Sequence, residues 1–498
     1  MRGIYHVKTG AFTVLEAEHS LENDRFFLDY AGRPRFDLSD RLDELAGDFS
    51  QRHFMKWFHG PYLLYIYDKR QKELTVTQHF FGAPVPFYVA ACADEIYFAD
   101  SLKKLYPPTG NGFSLNEAVL PVFLYNGFLP GKDTLIRDVY KLPIRRNLVM
   151  SRSGIRTAEM PVFFEGADSR EPVGEHYERV VRQAVFDNRP VKNPDEDYCM
   201  ALSGGYDSNC ILYYLKEIAP AKHIRGFSVG GARGVDETGT AREIAGMYDG
   251  VSLTSAMVTP ETLRHMDEIV CRLEGNVYER GIFLQYELGK LLSEEGCSHL
   301  ICGECADQVF HQMTYAGWGG SAAGVPNGNG AAGDVFHYGY WDTPYEMAAY
   351  VVLKKNVLLL RSFGVDGYYP FLDYEMFDLG YRTREMNQRT KEYHKERCRQ
   401  ILPGRVAELL VKQGGTTDMS ALFEDGFDCM AAAARCRYYS SSFSLTRKYE
   451  PEEAARDYYL TLLYLESFEN QFCGHGRGRT YVFIGDTKSA GTDEPEGI

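Results

Sequence analysis

Ala201–Asn209 reads ALSGGYDSN and stands between a strand-like run, DYCMAL, and a helical pattern in which Ile211, Leu212, Leu215 and Ile218 share one face. At such a strand-to-helix turn, Gly204 and Gly205 let the backbone approach an anion closely, and Ser203 and Ser208 offer hydroxyl donors. The free amides opening the helix, expected over Ser208–Ile218, point to the same spot. This is the signature of an anion cradle. Asp207 is an odd neighbour for phosphate unless a cation lies between, so it points to Mg2+ held by one carboxylate and phosphate oxygens. A plain Gly-Gly turn with a capping Asp is the bland alternative. The string is not a Walker A loop. The nearest approach to one, Gly127–Asp133 (GFLPGKD), is a residue short and carries Asp where the hydroxyl belongs.

Outward from this stretch, strand-like IRGFSV, VSLTSAMV and HLICG alternate with helical runs over Asp236–Met247 and through to Glu295. That alternation predicts a parallel sheet with helices on both faces and binding loops at the C-terminal strand edges. Residues 1 to about 165 read differently. Tyr62–Tyr67, Leu74–Phe80, Pro86–Ala91 and Glu95–Ala99 are short runs of Tyr, Phe, Val and Ile separated by DKRQKE and ACAD, which predicts hairpins. Met347–Leu360 reads as a core helix. Gly317–Gly333 is too rich in glycine for a regular element and reads as a surface loop or a lid. Past Lys412 the pattern turns helical again and ends in a polar tail, expected to be disordered.

The 498 residues are enough for two to four domains, and 44% apolar with 25% charged residues excludes a disordered or fibrous chain. A net charge of -15 argues against nucleic acid as a partner and for small substrates. No run is long enough for a membrane span, and MRGIYHVKTG has no signal-peptide core, so a cytoplasmic protein is expected. Eleven scattered cysteines suit free thiols, and Cys302 and Cys305 lack the second close pair a sulfur-bound metal needs.

SGGYDS resembles the pyrophosphate loop of the N-type ATP pyrophosphatases, which cleave ATP between its α and β phosphates. Downstream, GFSVGGARGVDETGTAREIA, with Asp236, Glu237 and Ala241, is similar to the second strand of the asparagine synthetases. Ile301–Phe310 (ICGECADQVF) resembles their SGEGADELF segment, Gly367–Met376 (GYYPFLDYEM) their PFLD segment, and KERCRQILPGRVAELLVKQGG the helix leading to their active-site lysine. DKRQKELTVTQHFFGAPVPFYV and EIYFADSLKKLYP look like the glutamine amidotransferase domain of the same class B, glutamine-hydrolysing family. The resemblance implies an α/β chain. Residues 1–168 would form an Ntn-hydrolase-like αββα sandwich. Residues 169–485 would form an N-type ATP pyrophosphatase (adenine nucleotide α-hydrolase-like) parallel sheet with helices, leaving 486–498 as the tail.

It also implies roles. Leu202, Val229, Cys302 and Gly303 would line the adenine and ribose pocket, and Ser203, Gly204, Gly205, Asp207 and Ser208 would hold the triphosphate of ATP. Asp207 and Asp307 would share Mg2+, Lys412 would stabilise charge as an amine attacks the adenylate, and Glu304 would take the amine's proton. Lys412 read without the resemblance is a solvated helix-end lysine.

Two departures bear on substrate. The amidotransferase nucleophile of the family is a cysteine directly after the initiator Met, whereas Arg2 stands there, so glutamine hydrolysis is expected to be absent. Tyr368 stands where asparagine synthetases usually have Arg before PFLD, and Gln308, His311, Gln312 and Met313 replace their usual Glu and Gly-Gly-Tyr. The pattern resembles relatives such as β-lactam synthetases and lasso-peptide macrocyclases. The expectation is an AMP-forming amide ligase or cyclase acting on a small-molecule or peptide carboxylate and an amine. A homodimer or a partner biosynthetic protein is left open. Asparagine synthesis from free ammonia is the runner-up, followed by a catalytically dead nucleotide-binding protein and a tRNA-modifying ATP pyrophosphatase. GFSVG (Gly226–Gly230) fits the nucleophile elbow of serine hydrolases only if a helix starts at once after Ser228, and the glycines that follow oppose that.

Overall fold

The structure, a computed structural model, describes residues 1–48, 54–105, 112–144, 146–160, 173–190, 196–231, 237–310, 348–386, 390–410, 436 and 451–473. Its N-terminal part holds two antiparallel sheets. One consists of β1 (Arg2–His6), β2 (Ala11–Glu16), β7 (Tyr88–Cys92), β8 (Glu95–Ala99) and β9 (Val139–Lys141), in the order β2-β1-β8-β7-β9. The other consists of β3 (Ser20–Glu22), β4 (Phe26–Pro34), β5 (Phe58–Asp68), β6 (Glu73–Gln78), β10 (Arg146–Ser151) and β11 (Gly154–Glu159), in the order β11-β10-β6-β5-β4-β3. Tyr5, Val89, Ile96 and Phe98 from the first meet Leu63, Tyr65, Leu74, Val76, Leu148 and Met150 from the second in one buried layer. The expected hairpins are present. In DKRQKE the Asp68 carboxylate accepts from the Arg70 and Gln71 amides at 2.8 and 2.9 Å, and Lys72 takes a φ of 56° to close the turn.

The second half is built on a parallel sheet of β12 (Tyr198–Ala201), β13 (Ile224–Gly230), β14 (Val251–Met257), β15 (His299–Ile301) and β16 (Asp366–Tyr368), in the order β14-β13-β12-β15-β16. Alternate strand residues feed two cores. Met200, Ile224 and Ile301 pack with the helices Val173–Asp187, Tyr206–Ile218 and Glu237–Ala245. Cys199, Phe227 and Leu300 face the helices Gly281–Glu294 and Leu353–Ser362. The strand order reverses between β12 and β15, which opens a crevice at their carboxyl ends.

Three local expectations shift. The helix after SGG starts at Tyr206, two residues before Ser208, because Asn209 ties its first turn to the preceding loop. The run to Glu295 is three helices, Pro260–Arg264, Met266–Leu273 and Gly281–Glu294, since Glu274 (φ 50°) and Gly275 (φ 70°) turn left-handed and end the middle one. Of the expected Met347–Leu360 helix, the described part is a π-helical turn, Ala348–Val352, running into the helix Leu353–Ser362. The expected domain junction, the Gly317–Gly333 loop, Lys412 and the tail lie outside the described residues.

The two halves share one apolar cluster and a polar seam. Gly127 (φ 76°) presses so closely on the other half that a Cβ there would stand 2.1 Å from the Tyr278 carbonyl oxygen, and its own carbonyl accepts the Tyr278 amide at 2.6 Å. Burial lowers the His79 pKa to about 4, so the ring is neutral. Its Nδ1 accepts from the Phe81 amide at 3.2 Å, which leaves Nε2–H to donate to the Leu372 carbonyl at 3.1 Å.

Candidate active site

The strand ends of β12, β13 and β15 stand side by side, which places Leu202, Val229 and Cys302 at neighbouring strand ends. Leu202 and Cys302 are buried, and the Leu202 amide donates to the Phe227 carbonyl at 2.9 Å, carrying the sheet one residue into the loop. Ser203–Ser208 then folds on itself. The Ser203 amide donates to Ser208 Oγ at 3.1 Å and the Gly205 amide to Ser203 Oγ at 3.1 Å. Asn209, fully buried, donates from Nδ2 to the Ser203 and Gly205 carbonyls at 2.9 and 2.7 Å. A Cβ on Gly204 would lie 3.1 Å from Thr240, and one on Gly205 3.2 Å from Ser203 Oγ, so side chains there would crowd the cradle. Ser228 lies inside β13, paired with Ser255, and the strand continues to Gly230, which is not the geometry of a nucleophile elbow.

Asp207, in the first helical turn, and Asp307, in the turn after β15, converge on one cation: Lys391 Nζ stands 2.5 Å from Asp207 Oδ1 and 2.7 Å from Asp307 Oδ1. Burial opposes the charge on Lys391, but the two carboxylates outweigh it and raise its pKa. Burial would likewise raise Asp207; Lys391 and His394 reverse the sign and hold it well below the usual carboxylate range. His394 Nε2 lies 2.8 Å from Asp207 Oδ1 and Nδ1 lies 2.6 Å from the Tyr177 hydroxyl, with the ring stacked on Phe310 at 4.4 Å. Burial opposes protonation of His394, yet Cys398 and the bond to Asp207 raise its pKa, favouring the form in which both ring nitrogens donate.

Gly303 packs against the phosphate loop, where a Cβ would lie 3.3 Å from the Ser208 amide nitrogen. Next to it Glu304 is half-buried, and Cys305 takes a φ of 69°, a left-handed conformation uncommon outside glycine. Burial raises the Glu304 pKa, with Asp307 and Glu279 adding to the effect and Lys355 opposing it. Lys355 itself bonds Glu279. A carboxyl so tuned holds a proton more readily than an exposed one and can serve as a proton acceptor.

Residues 179–324 match the asparagine synthase family and residues 48–160 the glutamine amidotransferase domain family. The two matches support kinship with the asparagine synthetases, with a glutamine amidotransferase domain. A curated relative, a putative glutamine-hydrolysing asparagine synthetase 2 of Methanocaldococcus jannaschii, is 23% identical over 192 residues, covering 37% of this chain and only 36% of the relative's length. Among solved structures, the U34-tRNA thiolase NcsA from Methanococcus maripaludis overlays with a TM-score of 0.25 at 15% identity, covering 51% of this chain and 83% of that one. Glutamine phosphoribosylpyrophosphate amidotransferase from B. subtilis gives 0.17 at 11% identity, covering 57% and 62%.

The described residues that the sequence nominated, Leu202, Ser203, Gly204, Gly205, Asp207, Ser208, Val229, Cys302, Gly303, Glu304 and Asp307, lie at the carboxyl ends of β12, β13 and β15 or in the turns that follow β12 and β15. Lys412, His311, Gln312 and Met313 lie outside the described residues. The sequence reading missed Asn209 as the loop's brace and Lys391 and His394 as the cations on Asp207. Asn209 was legible as an amide beside two glycines; the other two reach Asp207 from 184 and 187 residues away. Tyr368, in place of the family's usual Arg, lies under Arg33, whose guanidinium stacks 3.9 Å above the ring from the N-terminal half. The donors suit ATP with Mg2+, since two carboxylates already share a cation beside a cradle that side chains would crowd. No helix among the described residues is long and apolar enough to cross a membrane.

Proposed function

We propose that this protein is an AMP-forming ligase that activates a substrate carboxylate with ATP and couples it to an amine. The observation that carries this reading is the convergence of Asp207 and Asp307 on one cation, beside the phosphate loop and Glu304. Asp207 and Asp307 would hold Mg2+, which when bound neutralises charge on the departing pyrophosphate. Lys391 adds a fixed positive charge on the same side, and Leu202, Val229 and Cys302 offer an apolar wall for adenine. The amide-forming step follows when an amine attacks the adenylated carboxylate; Glu304 accepts the proton that amine loses. Lys412 is the family's candidate for stabilising the developing charge.

The amine is read as one other than glutamine-derived ammonia. Arg2 occupies the position of the amidotransferase nucleophile, and Cys92, the sole cysteine of residues 1–168, stands exposed at the end of β7. With Tyr368 in place of Arg, this supports a specialised small-molecule or peptide carboxylate, as in the β-lactam and lasso-peptide enzymes. The test is exchange of labelled pyrophosphate into ATP across pools of amino acids, peptides and cell extract. Exchange that needs one substrate fraction, with AMP as product, is the expected result; ADP as product overturns the reading. Glutamine hydrolysis by the purified chain overturns the statement about the amine.

A further inference from the structure

Away from the nucleotide site, His59, Asp187 and Asp373 meet where the two halves touch, and one ligand atom from each lies within 4.8 Å of the others. We propose that they form a divalent-cation site that clasps the halves together. The three come from separate elements. His59 is the second residue of β5, Asp187 ends the helix Val173–Asp187, and Asp373 follows the short turn Pro370–Leu372.

The local backbone aims them. The β4–β5 register shifts between Ala31 and Arg33, and Gly60 takes a φ of 64°, so the strand turns His59 and the Gly60 amide toward Asp373. The Gly60 amide donates to Asp373 Oδ1 at 3.0 Å, which sets Oδ2 opposite His59 Nδ1 at 3.2 Å. That separation is about the edge of a tetrahedral site with bonds of ~2 Å. Asp373 is 1% exposed, and Gln183 Nε2 orients Asp187 by donating to its Oδ1 at 2.8 Å.

Charge points the same way. Arg35 gives two nitrogens to Glu375, at 3.1 and 2.8 Å, and reaches Asp373 Oδ2 only at 3.5 Å. Arg33 is engaged by Asn188 and by the Tyr368 ring. The carboxylates of Asp187, Asp373 and Glu375 therefore outnumber the two guanidiniums around them, and the imidazole adds a neutral donor. One imidazole and two carboxylates suit Zn2+, Co2+ or Mn2+. The pair Asp207 and Asp307 offers only oxygen, so the two sites differ in donor chemistry.

The test uses the full chain, stripped with chelator and held in excess Mg2+ while Co2+ is added. The expected result is a visible ligand-field band that saturates at one Co2+ per chain, accompanied by a rise in Tm. His59→Gln and Asp187→Asn each abolish the band, with circular dichroism verifying that the variants fold. Should they not fold, spin-echo spectra of the Co2+-loaded wild-type chain decide the matter, since coupling to an imidazole nitrogen is required. No saturable band, a band that survives His59→Gln, or no nitrogen coupling overturns the proposal.

Discussion

Two buried histidines mark the two regions that matter, and they titrate in opposite directions. His79, in the seam between the halves, faces a backbone carbonyl and is driven toward its neutral form. His394, behind the phosphate loop, faces the Asp207 carboxylate and is driven toward its charged form. Both are at most 1% exposed, so burial alone does not decide. The surroundings do: at His79 the Leu372 carbonyl and the more distant Asp373 do not offset desolvation of the imidazolium, whereas at His394 Cys398 and the hydrogen-bonded Asp207 carboxylate do. Around His79 the seam therefore offers neutral hydrogen bonds and apolar packing, whereas the site around Asp207 concentrates compensated charge.

If that division is right, chemistry and stability separate by mutation. The largest expected effect is Lys391→Met. Losing the cation shared by Asp207 and Asp307 should slow pyrophosphate exchange by about 10²–10³-fold. The two side chains keep 24% and 28% of their exposure, so the cost in stability should be only about 1–2 kcal/mol. Exchange at the wild-type rate would break the comparison. Gly127→Ala should do the reverse. A left-handed φ together with a Cβ 2.1 Å from the Tyr278 carbonyl should cost about 3 kcal/mol in denaturant unfolding, with exchange per folded molecule nearly unchanged.

The smallest effect is in pH dependence. His79 has a folded pKa of about 4, below its ordinary 6.5. The unfolded chain therefore takes up a proton first as pH falls, and the stabilisation present above 6.5 is lost between 6.5 and about 4. The full loss is at most ~3 kcal/mol, and His79→Gln should flatten that limb. His394, with a raised pKa, contributes below its ordinary 6.5 and fades as pH rises through its folded value. His394→Gln should therefore flatten the alkaline side. Urea midpoints across pH for both variants sharpen the comparison, and the same limb lost in both would refute it.

The same contrast explains what could be read beforehand. SGGYDS, CGECAD and the strand-helix alternation are local, because a turn that must approach phosphate is made of consecutive residues. The parallel sheet, its crevice and the site residues on it followed from them. Lys391 and His394 sit on the helix Thr390–Ile401, whose charged face looks like any solvated surface until it folds over Asp207. The seam was the least legible. His59 and Asp373 are 314 residues apart, and only the bulge at Gly60 brings them together. The break at Glu274 was missed because a glutamate in a left-handed turn leaves no mark on a helical pattern.

Gly303 has one more consequence. A Cβ at this position would stand 3.3 Å from the Ser208 amide nitrogen and 3.4 Å from Asp207, so the turn bearing Glu304 packs directly on the phosphate loop. The two behave as meshed gears. A nucleotide that widened the loop by a few tenths of an ångström would press on the Glu304 turn as well, and under the proposed reaction the position of the proton acceptor would then depend on the contact made by the nucleotide.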